Sequence, residues 1–224
     1  MSTDDVATAL EAFLREVPAA GLLLDRGRSV SGGPKSPAFR ALFASAARRP
    51  ADQVLPSGPI PAALIPAFRP HQSLVDLVRA ALLARALEPL ADSARTDAVL
   101  GLFERGELGE QESVLRTLEL LPQPDAYVEV AKAACRTNAR SVFEAIACEN
   151  PFPARRFAEA SFNQMVLKAV FLGVPVTRIE GLAARRTPEL VRMALDYASE
   201  RRAAGRVVPE DIARIVQSNP SSGA

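Results

Sequence analysis

The chain has one histidine, two cysteines and three lysines beside twenty-four arginines, and these counts limit the chemistry it can perform. His71, between Pro70 and Gln72, is the sole imidazole, so any histidine-based triad would have to use it; a surface or helix-entry role is the plainer reading. The sequence contains no H-E-x-x-H, no G-x-S-x-G and no G-x-x-x-x-G-K-[ST]. One His and two Cys are too few for a structural zinc site, and no metal or cofactor is expected. Cys135 and Cys148 lie in apolar helical surroundings and read as buried thiols. Gly32 and Gly33 stand beside Pro34 in a polar loop, not between a strand and a helix, so a phosphate cradle is not expected there.

The polar groups that stand out sit on an apolar helix. Phe157, Phe162, Met165, Val166, Leu167, Val170, Phe171 and Leu172 spread around the circumference expected for residues 154–172, which marks a central, buried helix. Asn163, Gln164 and Lys168 interrupt it, and Gln164 and Lys168 share a face at a spacing of four. A buried amide or ammonium needs partners. With so few lysines, one placed in an apolar helix suggests that a compact ammonium is wanted there. The short turn before this helix would bring Arg136, Asn138, Glu144 and Asn150 alongside. The seven residues form the candidate ligand or partner site, with no residue assigned as catalytic. Two other readings stay open: Lys168 snorkels from the helix edge, and Glu144 pairs on the surface with Arg140.

The elements that must hold these residues are helical. Ala, Leu, Arg and Glu dominate, and no apolar/polar alternation of strand length appears. Thr3, Ser36 followed by Pro37, Ser73 and Ser93 open helices, the second running to about residue 48, the third to 88 and the fourth to 105. Others are expected at 109–120, 124–135, 139–148 (capped by Asn138), 154–172, 188–204 and 209–217. Residues 27–36 read as a loop. Residues 50–70 carry Pro50, Pro56, Pro59, Pro61, Pro66 and Pro70, too many for a helix. The same stretch holds Val54, Leu55, Ile60, Leu64, Ile65 and Phe68, so it is expected to lie across the helices as a strap. The expected fold is all-α: about ten helices in an irregular helical-hairpin (HEAT-like) array or a compact orthogonal bundle, with no sheet. It forms a single domain over 1–217, with a frayed tail at 218–224. The expected core includes Leu10, Leu14, Leu77, Leu82, Val99, Leu115, Leu118, Val130, Phe143, Ile146, Phe162, Val166 and Leu195.

A formal net charge of +1 gives no basic imbalance of the kind nucleic acid attracts. The pairs Arg155-Arg156, Arg185-Arg186 and Arg201-Arg202 read as solvated helix faces. No secretory signal and no transmembrane stretch is recognised, and a cytoplasmic location is expected. The Arg-rich helix at 188–204 could face anionic lipid, although its acidic residues argue against strong binding.

The runs Arg136-Thr137-Asn138, VFEAIA at 142–147, NPFPA at 150–154, FNQMVLKAVFLG at 162–173 and DYASERRAAGR at 196–206 resemble the EboA family. They span about 70 residues of the C-terminal half. The resemblance implies a conserved bacterial gene cluster for a secondary metabolite, with a sugar-phosphate-cyclase-like enzyme, a prenyltransferase and a hydrolase among its products. It supplies a context and no reaction. Two functions follow as expectations. One is a non-catalytic accessory protein that holds a cluster enzyme or a small polar intermediate on a helical surface. The other is an enzyme acting on a cyclitol- or sugar-like intermediate through Lys168 and Glu144.

Overall fold

The computed structural model describes residues 3–48, 55–56, 58–62, 64–65, 68–69 and 72–217. His71, the terminal segments 1–2 and 218–224, and Pro50, Val54, Pro66 and Pro70 of the proline-rich stretch lie outside the described residues. Of the described residues, 72% are helical, in thirteen α-helices and short 3-10 turns, and none is in a strand. The chain divides into two compact units, residues 1–146 and 147–224.

The first unit contains α1 (Thr3–Leu14), α2 (Pro18–Ser29), α3 (Pro37–Ser45), α4 (Leu74–Leu87), α5 (Asp92–Arg105), α6 (Leu108–Thr117) and α7 (Val128–Arg136), and nearly all of α8 (Arg140–Ala147). Helix α4 is its centre, in contact with α1, α2 and α6. Leu77, Val78, Leu82, Leu83 and Leu87 are all buried, so α4 has no solvent face to speak of. Its start is fixed by a reciprocal cap: the Asp76 N–H donates to the Ser73 hydroxyl at 3.1 Å, and the Ser73 N–H donates to the Asp76 carboxylate at 2.9 Å.

Helix α2 was not expected from the sequence. Gly21 and Gly27 weaken the pattern, but Pro18 is a start signal, and Gly27 permits a close approach to α4. A Cβ at Gly27 would come 2.5 Å from a Leu82 methyl. The helix takes in residues 27–29, so the loop is confined to 30–36. Within the described part of the proline-rich stretch, Ile60 and Ile65 are exposed. Leu64 is fully buried, and the Phe68 ring meets Phe13 edge-on at 6.1 Å.

The second unit holds α9 (Phe152–Arg156), α10 (Glu159–Leu172), α11 (Leu182–Arg185), α12 (Pro188–Ala203) and α13 (Asp211–Val216). The helix expected at 154–172 is two helices. The break at Phe157 and Ala158 is held by Arg185, whose guanidinium donates to the Ala154 carbonyl at 2.6 Å and to the Phe157 carbonyl at 2.7 Å. Those carbonyls have no helical partner at the end of α9, and a charged donor satisfies both. Arg186 does the same for α13, donating to the carbonyls of Ile215 and Val216. The Arg185-Arg186 pair is therefore a double helix stop and not a solvated face. Helix α10 ends at Gly173 in the left-handed region (φ 65°), with the Val174 N–H bonded to the Ala169 carbonyl at 2.9 Å.

Two apolar residues correct the expected burial. Leu195 on α12 is 46% exposed and Phe171 on α10 is 70% exposed, so α10 is not apolar-buried all round. The other twelve core positions named from the sequence are buried.

Candidate functional site

The seven residues singled out from the sequence divide between the two units. Arg136 ends α7 and is exposed. Asn138 is also exposed and lies two positions before α8. The turn there is held by Thr137, whose hydroxyl accepts from the Ala139 N–H at 3.2 Å. The Glu144 carboxylate accepts from Arg140 Nε at 2.7 Å, the i,i+4 surface pair. In the second unit, Asn150 is buried, and its side-chain oxygen accepts from the Phe152 N–H at 3.0 Å, tightening the entry to α9. Gln164 is exposed and Lys168 half-buried. Asn163 is 1% exposed, and neither its amide nitrogen nor its amide oxygen has a hydrogen-bond partner. Among the described residues these are the only sealed side-chain polar atoms left unpaired.

A large cavity lies in the first unit, where the sequence offered no motif. It measures about 990 Å³ and is walled by α1, α2, the loop at 30–33 and the end of α4. Glu11 is its anchor. This carboxylate is 4% exposed and accepts from Arg28 Nη2 at 2.5 Å and from Arg85 Nε at 3.0 Å. Arg85 also donates to Glu88 at 2.7 Å. Thr8, Arg15, Ser31, Gly32 and Gly33 also line it.

Glu11, Arg28 and Arg85 stabilise one another's charged forms. Burial alone would raise the Glu11 pKa, but the hydrogen bonds from Arg28 and Arg85 outweigh it and hold the carboxyl below its ordinary value. Hydrogen bonding to Glu11 raises both the Arg28 and Arg85 values. Such mutually stabilised charges form a fixed ion cluster. They can orient a polar ligand.

Sequence reasoning missed this site because its contacts are long-range. Glu11 meets partners 17 and 74 positions away, and no spacing rule links them. The one local signal is the Gly32-Gly33 pair, at φ 88° and 65°, which does not lie between a strand and a helix as a phosphate cradle would.

A family model described as metabolite traffic protein EboA matches residues 38–217. That match reaches well toward the N-terminus of the five runs that carry the resemblance in sequence. No curated protein and no solved structure matches the chain. Among the described residues no helix is long and apolar enough to cross a membrane.

Proposed function

The chain belongs to the EboA family, whose description names metabolite traffic, and on that premise we propose that it is a non-catalytic binding component that holds a small polar intermediate. Supporting this reading is the cavity of about 990 Å³ around the Glu11–Arg28–Arg85 cluster. Its volume is at the upper end of the usual range for small-molecule sites. Glu11, Arg28 and Arg85 stabilise one another's charged forms, which suits recognition of a polar ligand. The finer assignment, an accessory protein of an ebo-type biosynthesis and export cluster acting in the cytoplasm, is part of the same proposal.

Native mass spectrometry tests it. The protein, produced together with the neighbouring genes, is expected to carry a ligand of a few hundred daltons. Ala12→Trp, at an exposed position that lines the cavity, should remove that ligand. A parent protein that carries nothing, or a variant that keeps its ligand, would contradict the proposal.

A second binding element is favoured by one observation, the sealed and unpaired amide of Asn163. Beside it on α10 in the second unit, the exposed Gln164 and the half-buried Lys168 would engage another protein of the cluster. Lys168→Met should then leave folding intact and abolish co-purification of that protein. Unchanged co-purification contradicts the assignment.

A further inference from the structure

A second cavity, of about 620 Å³, lies elsewhere in the first unit, among α3, the 3-10 turn that follows it, α4, the end of α5 and the start of α6. Arg40, Arg48, Arg79 and Arg105 line it, with Glu107 and Glu110, so its wall carries a formal excess of two positive charges. Among the described residues none of these six groups forms an ion pair with another. Glu110 is engaged elsewhere: it accepts from the backbone N–H of Glu107 at 2.9 Å, at the start of α6.

Arg79 differs from the other three. It is 4% exposed, whereas Arg40, Arg48 and Arg105 are exposed. Its Nε donates to the Phe43 carbonyl at 3.1 Å, and its Nη1 to the Gly109 carbonyl at 2.7 Å and the Ser113 hydroxyl at 3.0 Å. The guanidinium lies over the Phe43 ring at 5.1 Å. The Ser113 hydroxyl in turn donates to Asp76 at 2.6 Å. Arg79 is thus held rigidly by neutral groups, with the nearest buried carboxylate one hydroxyl away. Its Nη2 has no acceptor among the described residues, yet it is not among the sealed polar atoms.

We propose that this cavity binds a dianionic group of the phosphate-monoester class, with Arg79 Nη2 at its inner end and Arg40, Arg48 and Arg105 around its mouth. A phosphate monoester carries roughly two negative charges at neutral pH, which matches the excess on the wall. Planar guanidinium forks fit tetrahedral oxyanions better than ammonium groups do, and every cation on this wall is an arginine. A strut joining α3, α4 and α6 would explain Arg79 alone. It would not explain three more arginines that face the same space, where four arginines meet only two carboxylates among the described lining residues. All the lining residues except Pro37 fall within the stretch that matches the family model. This inference goes beyond the proposed function, since it concerns a different cavity.

Calorimetric titration of the full chain with glycerol 3-phosphate at constant ionic strength is the test, with glycerol and acetate as matched controls. One site is expected. Arg40→Ala/Arg105→Ala removes two exposed side chains outside the Arg79 network and should weaken binding by roughly tenfold or more with an unchanged helical spectrum. Ala12→Trp, in the other cavity, should leave it unchanged. Three results overturn the proposal: no binding at roughly millimolar ligand, acetate binding as well as the phosphate, or equal binding by the double variant and its parent. Loss of binding in Ala12→Trp alone would place the phosphate in the first cavity and overturn it too.

Discussion

Six of the eight buried polar or charged residues among those described lie in the first unit: Glu11, Gln72, Asp76, Arg79, Ser113 and Thr117. Asn150 and Asn163 lie in the second. The two sets are satisfied differently. In the first unit five of the six are tied to another element, among them Glu11 on α1 to Arg28 on α2 and Arg85 on α4, and Gln72 to the Arg116 carbonyl on α6, while Thr117 bonds carbonyls of its own helix. In the second unit, buried charge is replaced by arginines that close helix ends from the surface, and one buried amide has no partner at all. A buried, fully paired network fixes the geometry of a cavity wall. An unpaired amide is a cost the fold tolerates, and such costs concentrate where a surface has another use.

The largest effect should come from Glu11→Ala. It leaves the exposed Arg28 and the part-buried Arg85 guanidiniums facing each other without their shared carboxylate and should cost about 2–3 kcal/mol, read from urea unfolding. A cost under about 1 kcal/mol would mean that the Glu11 cluster behaves like a surface pair. The same carboxylate sets a pH dependence. Its folded pKa lies below the usual 4.5, so its contribution is present above that value and is lost as pH falls through the folded value. Glu11→Gln should therefore flatten the acid limb of the stability profile. An identical limb in both proteins would contradict this.

Arg185→Ala comes next, at about 2 kcal/mol, because two helix-end carbonyls lose a charged donor. A loss confined to a few tenths would mean that α9 is stopped by Phe157 alone. Asn163→Leu should have the opposite sign and stabilise by about 1 kcal/mol, since it removes a buried amide with nothing to bond. Destabilisation there would show that the amide has a partner in solution. Leu195→Ser, at an exposed position on α12, should stay within about 0.5 kcal/mol.

Sequence made the helices legible where a cap and a period coincide. Ser73 with Asp76 opens α4 within one residue of the expected start, and Ser36 with Pro37 does the same for α3. The errors have local causes. Pro18 was read past because two glycines blur the pattern behind it. The break before α10 depends on Arg185, 28 positions beyond the Phe157 carbonyl it binds. Leu195 fits the apolar stripe of α12 by type, but its face is not covered. For the candidate site, type and spacing picked out Asn163, and the structure gives that residue a distinct environment. Glu144 was legible only as the surface pair with Arg140 that the spacing also allowed. The cavity around Glu11 was not legible, because it is assembled from three helices with no shared motif.

Hydrogen exchange on the full chain most directly tests the claim that the metabolite site lies in the first unit. The protein would be purified from its native cells with any ligand that it carries, and compared with the same protein after exhaustive dialysis. The account predicts that ligand-dependent protection concentrates in α1, α2, the loop at 30–36 and the end of α4. Protection confined to α10, with no change around Glu11 and Arg85, would contradict it.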